Sequence, residues 1–364
     1  MDIEASRVRQ ILELAILAPS GDNSQPWELS VRGNFVDLYN VPERDQSFLN
    51  FRQKAARVAH GALIENAVIA ASKFGCEIGV QLVSDDKNAN LVATLEIKEL
   101  GIKEDPLSPW ISKRTTNRKS FRSAPLTEKE KSTLMFLPDS IKDGHVRLVE
   151  SRQEREAVAE AVVAGDRFIL EHQQIHDFLF HQLRWGDEEA RSSRNGLHIK
   201  TLELSFPQAL FFRLLGHWGF LQTMNRFGLS NVFAKQAKHT YLSAPAFGVV
   251  AVQGDSDVDF VKAGRILERV WLSATSLGLS FQPFASTTFL SERLRSGETA
   301  GFSMGQIKQV KEAYQRLSET FHLEKEIAVM LFRVGHSAPP STRSLRFPLE
   351  NVLRRGNFEG GLFR

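Results

Sequence analysis

A single cysteine, Cys76, stands in 364 residues. It leaves no disulfide framework and no cysteine-based metal site, and it fits a reducing cytoplasm. Zinc and triad chemistry are missing too. The ten histidines form no HExxH motif, no GxSxG elbow occurs, and no glycine-rich loop follows a strand as in dinucleotide or P-loop binders. His172 and His176 are spaced to share one helix face, with His181 following. Without an acidic partner motif they read as solvated or capping residues. Net charge is scarce: 46 basic against 43 acidic residues leave +3, which gives nucleic-acid binding no support. Long apolar runs are scarce as well. The stretch Phe206–Phe227 is rich in Phe, Leu and Trp, but Arg213 and His217 interrupt it, so no membrane span is expected. A buried lid, an interface helix and a membrane-surface helix all suit that composition. The polar, charged segment after Met1 carries no signal-peptide pattern. An enzyme with this inventory leaves its chemistry to a cofactor.

What is present begins at Leu17-Ala18-Pro19-Ser20-Gly21-Asp22-Asn23-Ser24-Gln25-Pro26-Trp27. An apolar helical run from Ile11 to Ala18 stops at Pro19 and opens into small and amide residues. A hairpin follows, Trp27–Val31 and Phe35–Tyr39, around Gly33-Asn34. Ser20, Asn23 and Gln25 sit close together in the loop. Each carboxamide offers a donor and an acceptor, which suits a flat heterocycle with alternating carbonyl and N–H groups. The same residues also suit an ordinary helix end and turn.

Compared with itself, the chain repeats. Gly61-Ala-Leu-Ile-Glu65 through Ala71 to Gly75 matches Gly264-Arg-Ile-Leu-Glu268 through Ala274 to Gly278, with apolar residues at helical spacing in both. Each helix ends at a glycine, as a left-handed cap requires, and a strand-like segment follows: Glu77–Ser84 and Ser280–Phe284. A second match sets Leu17-Ala18-Pro19-Ser20 against Phe136-Leu137-Pro138-Asp139. There Asn23 meets Lys142 and Gln25 meets Gly144, so the amides are lost. Two related halves are expected, 1–105 and 106–364, with an unmatched aromatic-rich insertion at about 165–244.

The second half carries Lys113-Arg114-Thr115-Thr116-Asn117-Arg118-Lys119 ahead of a helix start at Leu126-Thr127-Glu128-Lys129. Guanidinium forks beside neutral hydroxyls make a receptor for a phosphate dianion, although a solvated basic loop is the common fate of such a run. Val329–Val334 reads as a buried strand. Beyond its Gly335 turn, Arg343 and Arg346 are placed to join the same anion site.

Together these residues resemble the nitroreductase superfamily of FMN-dependent proteins, and in particular its fused, single-chain branch, similar to the mycobacterial Acg-type proteins. The resemblance rests on Ala18-Pro19-Ser20 with Asn23, Gln25, Pro26 and Trp27, on Lys113 to Arg118, and on Ala263–Gly278 leading into Leu279 to Phe284. It implies an α+β nitroreductase-like fold in which the two halves mimic the family's homodimer, with mixed, mostly antiparallel sheets covered by helices. It implies one FMN site between the halves and one degenerate pseudo-site. Ser20, Asn23 and Gln25 would contact the ribityl chain and pyrimidine edge. Arg114, Thr115, Thr116 and Arg118, with Arg343 or Arg346, would hold the phosphate. The backbone at Pro283, Phe284, Ala285 and Ser286 would pass near flavin N5. Members often carry an acidic residue and Gly where this chain has Ala285-Ser286. Arg57, with Arg52 and Lys54 nearby, is a candidate cation for the N1/O2 edge; a solvated helix face is the other reading.

The activity so implied is hydride transfer from NAD(P)H to FMN and then to a small-molecule acceptor such as a nitroaromatic or quinone, with no protein nucleophile. The alternative is an FMN-binding protein of low turnover, its insertion closing the nicotinamide site so that flavin is sequestered, stored or sensed. Azoline dehydrogenation or flavin fragmentation is a third, weaker possibility. The fusion makes a monomer plausible, with a dimer open through Phe206–Phe227.

Overall fold

The computed structural model of the chain describes residues 3–83, 90–138, 141 and 144–354. Ser84, Asp139 and Lys142, named above, lie outside them. The chain begins with helix α1 (Ala5–Ala15), then a hairpin of β1 (Trp27–Arg32) and β2 (Phe35–Asn40). Helix α2 (Lys54–Ser72) and strands β3 (Cys76–Leu82) and β4 (Leu91–Glu99) complete the first unit. The second opens with α3 (Glu128–Met135), capped by Thr127, and β5 (Gly144–Val149). Helices α4 (Arg152–Asp166), α5 (Phe168–Glu171) and α6 (Gln173–Gln182) come next. They are followed by β6 (Leu183–Arg184), α7 (Asp187–Ser193), β7 (Leu197–His198), α8 (Phe206–Leu215), α9 (Trp218–Arg226) and α10 (Leu229–Leu242). Then come β8 (Ala246–Val252), α11 (Asp257–Ser276), β9 (Ser280–Phe284), α12 (Ser286–Arg295), α13 (Met304–Thr320) and β10 (Ile327–Gly335).

The fold is α+β, with two four-stranded sheets, ordered β1-β2-β4-β3 and β5-β8-β10-β9. Numbered within its own sheet, each has the order 1-2-4-3, with the long helix between its second and third strands. All pairings inside both sheets are antiparallel. Parallel pairing occurs between β6 and β7 and at two isolated bridges, Leu29–Leu353 and Thr116–Phe281.

Burial explains the different strand sequences. β3 alternates buried and exposed positions, because that end of its sheet has one wet face. β8, AFGVVAV, is buried at every position. Its sheet has α11 on one side, around Trp271, Phe281 and Phe332, and α4 with α13 on the other, around Val162, Leu317 and Phe321.

The long helices α2 and α11 join the units. At their crossing a Cβ on Gly61 would lie 1.9 Å from the carbonyl oxygen of Val261, and one on Gly264 would lie 2.0 Å from that of Val58. The contact is reciprocal, as in a twofold interface, and only glycine permits it. Gly75 and Gly278, the two helix-ending glycines, both have positive φ, 68° and 72°.

The C-terminal segment also laces the two units together. It returns to the edge of β1: Leu29 N donates to Val352 O (2.7 Å) and Arg354 N to Leu29 O (2.8 Å). Asn117 N donates to Phe281 O (2.9 Å), which lays the basic segment along β9. No described helix is long and apolar enough to cross a membrane.

Candidate functional site

The loop after α1 is built on unusual backbone. Asp22, Asn23 and Gln25 all have positive φ (46°, 57° and 51°), a region that Asn and Asp tolerate better than most side chains. Its carboxamides hold it there. Asn23 Nδ2 donates to Leu345 O (2.9 Å) and Gly196 O (3.2 Å), and Asn23 Oδ1 accepts from Arg346 Nη1 (2.7 Å). Gln25 Nε2 donates to Arg194 O (2.9 Å), and its Oε1 accepts from Phe347 N (2.8 Å). Ser20 Oγ accepts from Gln25 N (2.9 Å). The amides therefore tie three segments together: the loop, the α7–β7 connection and the C-terminal strap.

A cavity of about 550 Å³ opens beside this knot, between α2, α11, the basic segment and the insertion. Ser20, Asn23, Arg114, Thr115, Thr116, Arg118, Pro283, Phe284, Ala285, Ser286, Arg343 and Arg346 all line it. Gln25 does not. It is fully buried with both amide atoms engaged, so the expected contact with a flavin edge is corrected to a structural role. A smaller cavity of about 200 Å³ adjoins, sharing Asn23, Thr342, Arg343 and Ser344.

One end of the large cavity is crowded with positive charge. Arg114 is buried; its Nη2 donates to Leu17 O (2.8 Å), its Nε lies 2.9 Å from Glu268 Oε1, and its guanidinium stacks 4.4 Å from the Trp271 ring centroid. Arg343 Nη2 donates to Arg114 O (2.9 Å), and Arg346 Nε to Ala18 O (2.9 Å). Burial pushes Arg346 down to about 9, with Arg114 and Arg343 adding repulsion and Glu268 opposing it. Burial and Arg114 lower Arg343 as well. Burial pushes Glu268 up to about 7, against the pull of Arg114 and Arg346. Three guanidiniums thus crowd together with only Glu268 to oppose them, an arrangement that a bound anion would relieve.

Arg118 stands apart from that group. Its Nη1 donates to Thr201 O (3.1 Å); burial lowers its pKa, and Asp22, Tyr241 and Glu203 oppose that. Burial pushes Asp22 up to about 6 despite Arg118, and burial with Asp22 pushes Asp45 up to about 7. The far end of the cavity is mostly apolar, with Leu49, Val58, Phe178, Leu179, Phe212 and Phe233 in its wall.

No family model matches the chain. An uncharacterized Mycobacterium tuberculosis protein is 24% identical over 344 residues, 92% of this chain and 46% of that protein. The Serratia protein PigM, designated a probable NAD(P)H nitroreductase, is 23% identical over 295 residues, 76% of this chain and 79% of that one. The chain is a relative of the nitroreductases. It spans about half the length of the mycobacterial relative. Among solved structures, the FMN-dependent nitroreductase NfnB of Mycobacterium smegmatis, in complex with NADPH, superposes with a TM-score of 0.40 at 14% identity. That match covers 68% of this chain and 96% of that one.

Several residues of this nitroreductase relative escaped the sequence reading. Asp166 and Tyr241 line the cavity from opposite ends of the insertion. Tyr241 Oη donates to Asp166 Oδ2 (2.7 Å), Ser286 Oγ donates to Oδ1 (3.0 Å), and burial raises the pKa of both the acid and the phenol. Nothing local marks this pair; only the edges of the unmatched segment hint at it. Glu268 had a signal, since it recurs in register with Glu65 in the repeat. Asp22 and Asp45 had none beyond the loop itself.

Other expectations are corrected. Lys54 and Arg57 are buried rather than on a solvated face, pairing with Glu292 (2.8 Å) and Asp257 (2.8 Å), and neither lines the cavity. Arg52 is exposed, also away from the cavity. His172 and His176 are buried rather than solvated: their Nε2 atoms meet Gly301 O and Leu215 O, each at 2.8 Å, and His172 does stand at the N-cap of α6. No group of acidic, His or Cys side chains among the described residues is arranged for a metal.

Proposed function

We propose that this chain binds FMN in the large cavity and works as an NAD(P)H-dependent oxidoreductase of the nitroreductase type. The observation carrying this is the positive end: Arg114, Arg343 and Arg346 converge on the cavity wall, Glu268 pairs with Arg114, and Thr115 and Thr116 share the wall. That donor set fits a phosphate dianion, which supplies the missing negative charge and accepts from guanidinium forks. The apolar walls fit a planar ring system. The nitroreductase designation of PigM agrees with the reading.

FMN, when bound, supplies two-electron chemistry, accepting hydride from NAD(P)H and delivering it to a small-molecule acceptor. The chain's part is orientation and electrostatics. Residues 283–286 line the cavity, and the Asp166–Tyr241 pair places a proton-exchanging group within the same space. Asn23 and Ser20 act by fixing the loop, whichever faces they turn to the ligand. We further infer that 1–105 and 106–364 are related halves, supported by their common strand order.

A slower reading has support of its own. Phe178, Leu179, Phe212 and Phe233, all from the insertion, wall the cavity as a lid and narrow the room for a stacked nicotinamide. The chain would then hold flavin with little turnover. Anaerobic addition of NADH or NADPH to the flavin-loaded protein separates the two: rapid loss of visible absorbance supports the oxidoreductase, and unchanged absorbance supports storage. Protein that is colourless as purified and takes up no added FMN ends both.

A further inference from the structure

The lid has a second face. Phe206 and Phe227 are 84% and 83% exposed, Val232 61%, Leu210 57% and Leu214 49%. In α8, Phe206, Leu210 and Leu214 recur at every fourth residue and so form one outward stripe. The inward side is apolar too: Leu215 is fully buried and Phe212 lines the cavity, while Gln208 and Arg213 are exposed. An outward apolar stripe of this length belongs in apolar surroundings.

Charge chooses the partner. Between Glu203 and Asp255 the sequence has no Asp or Glu, while it carries Arg213, Arg226, Lys235 and Lys238. Lys238 pairs with Glu160 on α4 (2.7 Å). Arg213, Arg226 and Lys235 are exposed, and no carboxylate among the described residues forms an ion pair with them. Arg213 rests over the Trp185 ring, 5.6 Å from its centroid. A second copy docking through this face about a twofold axis would bring basic residues against basic residues. An anionic lipid surface instead offers apolar depth and negative headgroups together.

We propose that the outer face of α8, α9 and α10 docks on an anionic bilayer. Phe206, Leu210, Leu214, Phe227 and Val232 enter the headgroup–acyl boundary, and Arg213, Arg226 and Lys235 meet the lipid phosphates. The proposal stands apart from the cofactor reading, since none of these eight side chains lines the large cavity.

Flotation of the full chain with phosphatidylglycerol-containing vesicles, and with phosphatidylcholine vesicles alone, tests it. The protein is expected to float with the anionic vesicles and to lose most of that binding in roughly 0.5 M salt. The combined change Arg213→Gln, Arg226→Gln and Lys235→Gln should weaken partitioning roughly a hundredfold. Phe206→Ser with Leu210→Ser and Phe227→Ser should abolish it, leaving the thermal melt and the flavin spectrum unchanged. Because the charge variant alters only exposed side chains, it keeps the test valid if the serine variant misfolds. Two results overturn the proposal: no preference for anionic over zwitterionic vesicles, or a lipid-free, concentration-dependent dimer that the serine variant lacks.

Discussion

Glu65 on α2 and Glu268 on α11 occupy matching positions in the repeat, each buried in one of the two seams beside the helix crossing. Around Glu65 the charges close on themselves: Arg265 Nε lies 2.9 Å from it, Arg269 Nε 2.7 Å, and Arg269 also meets Asp105 at 3.0 Å. None of these four residues lines either cavity. Against Glu268 stand Arg114 and Arg346, with Arg343 beside them; among the described residues no second carboxylate pairs with these arginines, and all three line the large cavity. The helix surfaces agree. Ala55, Val58, Ala59 and Ala62 of α2 line the large cavity, whereas their counterparts on α11 are Val258, Val261, Lys262 and Arg265. Where α2 offers Ala62, α11 offers Arg265, whose guanidinium turns inward to Glu65. A shared scaffold thus yields one seam satisfied by its own ion pairs and another that is short of negative charge. Only the second has reason to take a ligand.

The crossing on which both seams depend is the most severe place to break the comparison. Gly264→Ala forces a Cβ onto a backbone carbonyl and should destabilise the protein by about 3 kcal/mol or more, read as a lowered denaturation midpoint. Next come the two arginines. Arg269→Ala leaves buried Glu65 with Arg265 alone and takes the partner from Asp105, and should cost about 3 kcal/mol of stability while leaving FMN affinity unchanged. Arg114→Ala should weaken FMN binding by roughly a hundredfold, about 3 kcal/mol, by flavin fluorescence titration. If Arg269→Ala lost FMN as badly as Arg114→Ala, the two seams would not differ in the way described. Inorganic phosphate gives a gentler test: saturating amounts should raise the melting temperature of the flavin-free protein, and Arg346→Ala should remove that rise.

The smallest effect concerns pH. Glu268, pushed up to about 7, holds a proton in the folded chain that it releases near 4.5 when unfolded. Between those values the native state binds more protons, so flavin-free stability should fall as pH rises from about 4.5 to 7. Asp22 and Asp45, also raised, act in the same direction. Glu268→Gln should flatten the part of the slope that belongs to this seam, measured by urea denaturation across that range.

Much of this was legible in the chain itself. The hairpin, the repeat helices, the strand Ser280–Phe284 and the helix start after Thr127 all announce themselves through local periodicity, turn residues and caps. The basic segment and trailing arginines were visible as residue types at recognisable spacing. Partnership was not. Asn23 and Gln25 read as free amides, yet their partners lie at Arg194, Gly196, Leu345, Arg346 and Phe347, all distant in sequence. Lys54, Arg57, His172 and His176 were misplaced for the same reason, since each is buried against a remote segment.

Backbone periodicity is a property of neighbours along the chain, so the sequence alone determined the elements, the likeness of the two long helices and the stock of charged and amide groups. Which of those groups find a counter-charge depends on distances between segments far apart in sequence. Tertiary structure therefore decided that Arg265 and Arg269 neutralise one glutamate, and that Arg114, Arg343 and Arg346 gather at the other. Electrostatic balance is settled within a few ångströms, and folding alone brings those atoms that close.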